Sequence, residues 1–289
     1  MKSKLSYLVG SAKKIILRRG MKCPSCNHSN SVIVDRKYML TILRRCENCK
    51  LLFRTPTTTI EENAAFYQKD YTQGFTTEMP NDEKLKTCID TKFQGTEKDY
   101  SVYINVLEGL GCKRGQKLLD FGCSWGYGSW QLKRHGFIVE SFEISDPRAD
   151  YARKKLGAKV FSNLTELSGP YDIFFSSHVL EHVPSVNKII DFGLSVLRPG
   201  GVFVAFTPNG SNQHRLKSPS IWHKLWGRVH PNFLDDMYYC NAFPECSLLL
   251  SSDPYDIEKL IDWQGKKGMR VIYDLSGSEL LVAARKEMS

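Results

Sequence analysis

The sequence contains no long hydrophobic run, and this absence limits the classes of protein that it can encode. Its longest apolar runs, such as residues 202–206, have about five residues, far short of the roughly 20 that a membrane-spanning helix needs. Near the N-terminus the apolar residues are interrupted by Ser11, Lys13 and Lys14, so no uninterrupted secretion-signal core is present. We therefore expect a cytoplasmic protein without a transmembrane helix.

Acidic residues are scarce in the front of the chain. Residues 1–54 hold only Asp35 and Glu47 against 13 Lys and Arg, while the whole chain of 289 residues carries a net charge of +9. The remainder is therefore close to neutral. A basic front end on a neutral body indicates an anionic partner, either a membrane surface or nucleic acid.

Residues 1–20 are predicted to form a basic amphipathic arm. At 100° per residue its apolar residues fall into one stripe, and the lysines lie elsewhere around the helix. Such a helix either makes a peripheral membrane contact or packs its stripe on the rest of the protein. Translation from Met21 is a third interpretation. The stripe consists of Leu5, Leu8, Val9, Ala12, Ile15 and Ile16.

Residues 21–56 contain two Cys-x-x-Cys pairs. Cys23 and Cys26 are separated by nineteen residues from Cys46 and Cys49, a spacing typical of zinc ribbons. Four thiolates form a closed tetrahedral shell, so we expect a structural and not a catalytic Zn²⁺. The runs 31–34 and 39–44 would form the hairpin between the two knuckles.

Residues 57–110 carry two helical patterns separated by a polar stretch near 72–82. The first pattern, near 61–71, holds Phe66, Tyr67 and Tyr71, and the second runs near 98–110. Aromatic residues at this spacing indicate either a helical cap over a ligand site or ordinary core packing. Both interpretations stay open.

The segment from Lys117 reads KLLDFGCSWGYGSWQLKRHGFIVESFEIS. It combines a buried strand, a glycine-rich turn, a helix and a second strand that ends at Glu143, which is the arrangement that binds a nucleoside at the carboxyl edge of a doubly wound sheet. The acidic side chain can accept both ribose hydroxyls. A dinucleotide is disfavoured because such sites prefer G-x-G-x-x-G, and here the order is Gly122-x-x-x-Gly126-x-Gly128.

Residues 120–143 resemble motifs I and II of class I S-adenosylmethionine-dependent methyltransferases. YDIFF at 171–175, SSHVLEHV at 176–183 and LRPGG at 197–201 continue the resemblance over about residues 100–289. It implies an α/β fold with a Rossmann-like, doubly wound, seven-stranded sheet whose last strand is antiparallel, here at 111–289, after the small N-terminal zinc ribbon. The strands near 269–273 and 279–285 would form the antiparallel hairpin at its end.

The resemblance also implies which residues bind the cofactor. Glu143 would hold the ribose, Ile144 would pack on the adenine, and Ser176 and Ser177 would line the floor near the methyl group. Where this family usually has glycine, the chain has Ser124, which adds a Cβ near the ligand. The full set of candidate cofactor residues is Asp120, Gly122, Cys123, Ser124, Gly126, Glu143, Ile144, Asn163, Leu164, Ser176 and Ser177.

His178, Glu181 and His182 lie at i, i+3 and i+4, on one face of a short helix. They are similar to the acidic-x-x-Glu-His element of ubiquinone-biosynthesis O-methyltransferases, where a divalent ion can assist, but His178 replaces the first acid. The aromatic insertion 207–250 contains His230 and is predicted to form the acceptor pocket. His178, His182 and His230 are the candidate catalytic residues, with packing and capping as the alternative interpretation.

These observations favour methyl transfer to a small-molecule acceptor. Zinc ribbons on such a core resemble enzymes of sugar and polysaccharide biosynthesis, so we expect the hydroxyl of a sugar, a glycan or a related metabolite. One alternative is an RNA (rRNA) methyltransferase that uses the basic zinc-ribbon front end, although the Asn-Pro-Pro-Tyr or Asp-Pro-Pro-Tyr motif of base-amino methylation is missing. Another alternative is a non-catalytic module that binds S-adenosylmethionine.

Overall fold

The computed structural model describes residues 10–17, 19–38, 40–65, 78–264 and 267–288. No helix in these ranges has both the length and the apolar character needed to cross a bilayer. The strands are β1 (Ser31–Lys37), β2 (Thr41–Cys46), β3 (Leu52–Thr55), β4 (Lys117–Phe121), β5 (Ile138–Phe142), β6 (Val160–Phe161), β7 (Tyr171–Ser177), β8 (Leu197–Pro208), β9 (Asn232–Phe233), β10 (Ser247–Ser252), β11 (Arg270–Ile272) and β12 (Glu279–Arg285). The labelled helices are α1 (Ile60–Ala65), α2 (Asp82–Asp90), α3 (Ser101–Gly109), α4 (Tyr127–His135), α5 (Asp146–Leu156), α6 (Val186–Val196), α7 (Asn212–Lys217), α8 (Pro219–Leu225), α9 (Asp236–Ala242) and α10 (Ile257–Trp263).

The larger sheet has the strand order β11-β10-β12-β8-β7-β4-β5-β6. Strand β12 runs antiparallel to both of its neighbours, β8 and β10. The other neighbouring pairs are parallel. The predicted doubly wound α/β fold with an antiparallel last strand is confirmed, and β11 adds one short strand to the predicted seven.

The end of this sheet differs from the predicted hairpin. Strand β10 lies between β11 and β12, so β11 pairs with β10 and not with β12, and the hairpin prediction is wrong. The six residues of β10 are all buried and therefore lack the alternation that identifies a half-exposed strand. From Ser247 onward, the predicted insertion 207–250 runs as a strand of the sheet.

Helices cover both faces of the larger sheet because the inner strands are apolar on both sides. Leu119 and Phe174 belong to one buried cluster, whereas Leu118 and Ile173 belong to the other. Adjacent residues of a strand point to opposite faces, so these runs supply two separate cores. Such strands are typical of parallel sheets that are buried on both faces.

The smaller sheet contains the cysteine hairpin. β1 and β2 pair antiparallel, as the sequence predicts, and β3 pairs with β2. Strand β9, from the insertion that follows β8, adds to β3 as the fourth strand. The ribbon is therefore joined to the larger domain through a continuous sheet.

The described residues of the connecting region form three helices. α1 covers the beginning of the first predicted helix, whereas Phe66, Tyr67 and Tyr71 lie outside the described residues. α2 begins where the polar stretch ends, with Asn81 accepting from the backbone N–H of Lys84 as its N-cap. α3 corresponds to the second predicted helix.

The N-terminal arm is described only from residue 10, and residues 10–16 are helical. Residues 1–9, which hold half of the predicted stripe, lie outside the described residues. Lys14 donates to the backbone oxygen of Thr57 at 2.9 Å and pairs with Glu62 at 2.5 Å. Ile16 is 80% exposed, so at this position the stripe does not pack on the protein.

Candidate functional site

Glu143 lies at the carboxyl end of β5, beside the turn that follows β4. Its two carboxylate oxygens accept from the backbone N–H groups of Ser124 and Ser145, each at 2.8 Å. The side chain is 5% exposed, and burial raises its pKa although both N–H donors and Arg148 oppose this shift. The Ile144 backbone N–H also interacts with this carboxylate, so of the roughly four acceptor positions on its two oxygens at least one stays open to a ligand hydroxyl.

Asp120 is the second-last residue of β4, and its side chain points into the protein. Its Oδ2 accepts from the Ser129 hydroxyl at 2.6 Å, and Ser129 contacts the hydroxyl of Ser141 at 2.9 Å. Burial raises the pKa of Asp120 to about 7, and the charge of Glu143 adds to the shift. The side chain thus anchors the turn to α4 and β5 in this structure.

The glycine-rich turn is packed tightly against other parts of the protein. A Cβ on Gly122 (φ +84°) would lie 2.4 Å from the Val179 side chain, and one on Gly126 (φ +88°) would lie 2.8 Å from the Cβ of Ala152. Protein side chains thus already occupy the space where a Cβ would stand on these two glycines. The contact with Val179 joins the turn to the SSHVLEHV segment.

Ser124, the departure from the family pattern, has a left-handed backbone with φ +53°. Its hydroxyl accepts from Nη1 of Arg148 at 2.7 Å. Arg148 is 1% exposed and stands in the first turn of α5, where the sequence analysis missed it. In the sequence, the only indication of its role was a basic residue shortly after the second strand, and spacing could not identify the partner of that residue.

The remaining predicted cofactor residues lie at or near the same sheet edge. Cys123 is buried with Ala149 and Ala152, whereas Ile144 is 39% exposed. Asn163 caps a short 3₁₀ turn that begins at Leu164, by accepting from Thr165 N at 3.1 Å. Ser176 is fully buried, and Ser177 hydrogen bonds with Tyr100 and Tyr103.

Beside the turn lies a group that we call the Glu181 cluster, formed by Glu181, His182 and His230. One ligand atom from each residue lies within 4.8 Å of the others, and the two imidazole rings are 4.8 Å apart. Glu181 is 1% exposed, and neither of its carboxylate oxygens has a hydrogen-bond partner. The nearest charged neighbours of Glu181 are His178 Nδ1 at 3.5 Å and His182 Nε2 at 3.6 Å from Oε1, and a buried carboxylate needs such positive charge close by.

The histidines of this cluster are oriented by backbone carbonyls. His182 Nδ1 contacts Val229 O at 2.7 Å, and His230 Nδ1 contacts Leu225 O at 2.5 Å. A carbonyl only accepts, so each Nδ1 carries the proton and each Nε2 keeps a lone pair. This is the arrangement that fixes metal-ligating imidazoles.

His178 has a different environment. Its Nε2 lies 2.5 Å from Glu279 Oε2, and its Nδ1 lies 3.5 Å from Glu181 Oε1. Despite partial burial, these two carboxylates raise the pKa of His178 to about 10. Its position between two carboxylates favours the protonated imidazole, which argues against proton abstraction by His178, and its catalytic role stays a prediction.

Glu279 was missed by the sequence analysis. Besides His178, its carboxylate accepts from the Tyr103 hydroxyl at 2.8 Å and the Tyr255 hydroxyl at 2.6 Å. It stands at the first residue of β12, which reaches the carboxyl edge because this strand is antiparallel. Nothing in the local sequence distinguishes it from an exposed strand-end acid.

The insertion after β8 contributes one residue, His230, to the Glu181 cluster. Trp222 and Trp226 are 2% exposed and pack with Phe233 and two ribbon leucines, so both tryptophans serve in packing against the ribbon. His214 is buried with its Nδ1 3.0 Å from Asn209 O. His223 contacts Asp35 of the ribbon at 2.6 Å.

The four ribbon cysteines converge as predicted. Cys23 Sγ lies 3.5 Å from Cys49 Sγ, and Cys26 Sγ lies 3.5 Å from Cys46 Sγ. All four sulfurs lie within 4.8 Å of one another. A tetrahedral zinc with bonds of about 2.3 Å places its sulfurs roughly 3.8 Å apart, so the group fits Zn²⁺.

Comparisons with known proteins identify the family of this chain. The sequence model of the family described as "Methyltransferase domain" matches residues 97–245. A ubiquinone biosynthesis O-methyltransferase from Paramagnetospirillum magneticum is 32% identical over 103 residues, which are 33% of this chain and 41% of that protein. One from Bordetella avium is 29% identical over 199 residues, 63% of this chain and 80% of that protein. The geranyl diphosphate C-methyltransferase structure from Streptomyces coelicolor A3(2) is 16% identical with a TM-score of 0.49, over 78% of this chain and 97% of that one.

Proposed function

Since the chain belongs to the methyltransferase-domain family, with S-adenosylmethionine as its cofactor, we propose that it transfers the methyl group to a hydroxyl of a small molecule, specifically a sugar, a glycan or a related metabolite. The observation that carries the proposal is the Glu181 cluster, a buried carboxylate with two oriented imidazoles next to the cofactor turn. A hydroxyl acceptor needs a base or a metal near neutral pH. The cluster offers these groups.

On the cofactor side, Glu143 would hold the ribose through the acceptor capacity that remains on its carboxylate. The cofactor crevice of this proposal is the space beside Glu143 and the turn at 122–126: Gly122, Cys123, Ser124 and Gly126 would form its wall, and Asp120 supports that wall through Ser129. Ile144, Asn163 and Leu164 would border the adenine. Ser176 and Ser177 would form the floor toward the acceptor.

On the acceptor side, Glu181, His182 and His230 are the residues that would hold a divalent cation. Their donor set of one carboxylate oxygen and two imidazole nitrogens suits such an ion, and the Glu181 oxygens accept no hydrogen bond that would compete with it. When bound, the ion lowers the pKa of a coordinated hydroxyl. His178 remains cationic between Glu181 and Glu279 and orients the Glu181 carboxylate.

The contacts made by basic residues of the ribbon argue against the RNA alternative. Arg45 pairs with Asp235 at 2.6 Å, and Arg54, 3% exposed, donates to Pro56 O at 2.6 Å. Lys37 donates to the backbone oxygen of Trp226. Lys37 and Arg45 therefore connect the ribbon to the insertion, and Arg54 is buried, so these three cations do not form an open surface for phosphates.

A methyl-transfer assay tests the proposal. Tritiated S-adenosylmethionine is incubated with the protein, Mn²⁺ or Mg²⁺, and separate pools of nucleotide sugars, oligosaccharides, phenols and RNA. We expect label on a saccharide hydroxyl, abolished by Glu181→Gln and retained by Glu166→Gln, because Glu166 is exposed. Label on RNA, or transfer that Glu181→Gln leaves unchanged, would contradict the proposal.

A further inference from the structure

The segment that carries His230 is held by the ribbon through main-chain hydrogen bonds. β3 and β9 pair antiparallel, with Leu52 opposite Phe233 and Phe53 opposite Asn232. The Arg54 amide donates to Pro231 O at 2.8 Å. The ladder therefore extends to the residue directly after His230.

The same segment is held from the other side by the residues around Glu181. The Asn232 amide donates to Glu181 O at 3.1 Å, and the Asn232 side chain donates to Val183 O at 2.7 Å. Asn232 is 1% exposed. Residues 230–233 are thus clamped between the ribbon and the SSHVLEHV segment, and both sides fix where His230 lies.

Side-chain contacts also hold the ribbon against the insertion and the segment after β7. Leu43 and Leu52 of the ribbon form one buried cluster with three aromatic residues of the insertion. Arg45 pairs with Asp235, which is 1% exposed. At the first knuckle, Ser25 Oγ accepts from the Val186 amide at 3.1 Å, where α6 begins. The aromatic residues of the cluster are Trp222, Trp226 and Phe233.

The position of β3 depends in turn on the second cysteine knuckle. β3 begins three residues after Cys49, and the Cys46 amide donates to Leu51 O at 2.9 Å. Metal binding supplies folding free energy to a short ribbon, in addition to the contacts that β3 makes with the insertion. Filling of the four-thiolate site therefore stabilises β3 in the position where it pairs with β9.

We propose that the four-cysteine zinc site controls the acceptor site, because the knuckle at Cys46 and Cys49 positions β3, and β3 holds His230 against Glu181 and His182. Asn232 is a positioning residue for His230. Loss of zinc releases His230 from the Glu181 cluster and leaves the cofactor crevice intact, since Glu143 and the turn at 122–126 make none of these contacts. The inference rests on the proposed function for the role of His230, but the coupling is a property of the fold.

Hydrogen exchange of the full-length protein tests this coupling directly. We compare the wild type with Cys49→Ser, following peptides that cover 229–235 by mass spectrometry, with zinc content and S-adenosylhomocysteine affinity measured in parallel. In the zinc-free variant we expect at least tenfold faster exchange at 229–235 and a dissociation constant for S-adenosylhomocysteine within about threefold of wild type. Unchanged protection at 229–235 in zinc-free protein would overturn the inference.

A second variant decides the question if Cys49→Ser loses its fold. Asn232→Ala keeps the cysteines, so we expect full zinc content, faster exchange at 229–235 and at least tenfold weaker Mn²⁺ binding by electron paramagnetic resonance. Asn48→Ala is the matched control, because Asn48 is exposed in the second knuckle, and it should change none of these. Equal Mn²⁺ affinity and equal exchange in both asparagine variants would reject the coupling.

If the wild type binds no Mn²⁺, the proposed function fails, while the exchange result still decides this inference.

Discussion

The cofactor crevice and the Glu181 cluster lie side by side, yet they are built in opposite ways. The crevice takes its turn, its acid and its supporting hydroxyls from residues 120–143, one continuous stretch. The cluster takes Glu181 and His182 from the end of β7 and His230 from an insertion almost fifty residues later. Local sequence thus encodes the first site, whereas the second exists only after the sheets have assembled.

Among the variants that test this contrast, we expect the largest loss of affinity from a change in the cofactor crevice. If Glu143 holds the ribose as proposed, Glu143→Ala removes that contact together with the acceptor of two backbone N–H groups. Hydrogen bonds to a charged group contribute about 1.5–3 kcal/mol, so we expect cofactor affinity to fall by about a hundredfold. Calorimetry with S-adenosylhomocysteine measures this, with exposed Glu166→Ala as control. Unchanged affinity would show that the crevice is wrongly assigned.

A smaller effect is expected in the cluster. Glu181→Gln removes the anionic ligand while keeping the shape, so Mn²⁺ affinity should fall by at least about tenfold, as ligand-shell changes do. S-adenosylhomocysteine affinity should stay within about threefold, because Glu181 makes no contact with Glu143 or its donors. If the variant loses cofactor and metal affinity together, the two sites are not separable as described.

Asp120 gives a pH-dependent prediction. Burial raises its folded pKa to about 7 from an ordinary value of 3.8, so the folded state binds the proton more tightly and this contribution to stability falls as pH rises from about 4 to 7. Between pH 5 and pH 7.5, the unfolding free energy measured with urea should change less for Asp120→Asn than for wild type. The same difference in both proteins would argue against a buried, protonated Asp120.

Ser124 provides the smallest and most specific effect. Ser124→Ala keeps the left-handed backbone but removes a hydrogen-bond partner of Arg148, which should cost about 1 kcal/mol of unfolding free energy. Ser124→Gly also removes this hydrogen-bond partner, but it relieves the strain of a left-handed backbone, about 1–2 kcal/mol. The unfolding free energy of the glycine variant should therefore be close to that of wild type. Chemical denaturation compares the two variants. A glycine variant less stable than the alanine variant would contradict this reading of the turn.

The same contrast explains how much the sequence could predict. Glu143, the turn and the four cysteines were identified because their spacing is short and their chemistry is specific. Arg148 and Glu279 were missed because their partners, Ser124 and His178, lie 24 and 101 residues away. The sheet order near β10 was also missed, since a fully buried run has no periodicity to separate it from an insertion.

The pairing of β3 with β9 is the clearest case of a feature without a local signal. β9 has only two residues, Asn232 and Phe233, too few for any strand pattern. Its ladder closes between segments about 180 residues apart. The ribbon was therefore predicted as a separate module, although in the structure it forms one side of the clamp on His230.

The most direct test of the whole account is a crystal structure with S-adenosylhomocysteine and Mn²⁺, using anomalous scattering to locate the metal. The account predicts the ribose diol on Glu143 and an anomalous peak bounded by Glu181, His182 and His230, on the sulfur side of the ligand. An empty crevice, or manganese bound elsewhere while this cluster stays vacant, would contradict it.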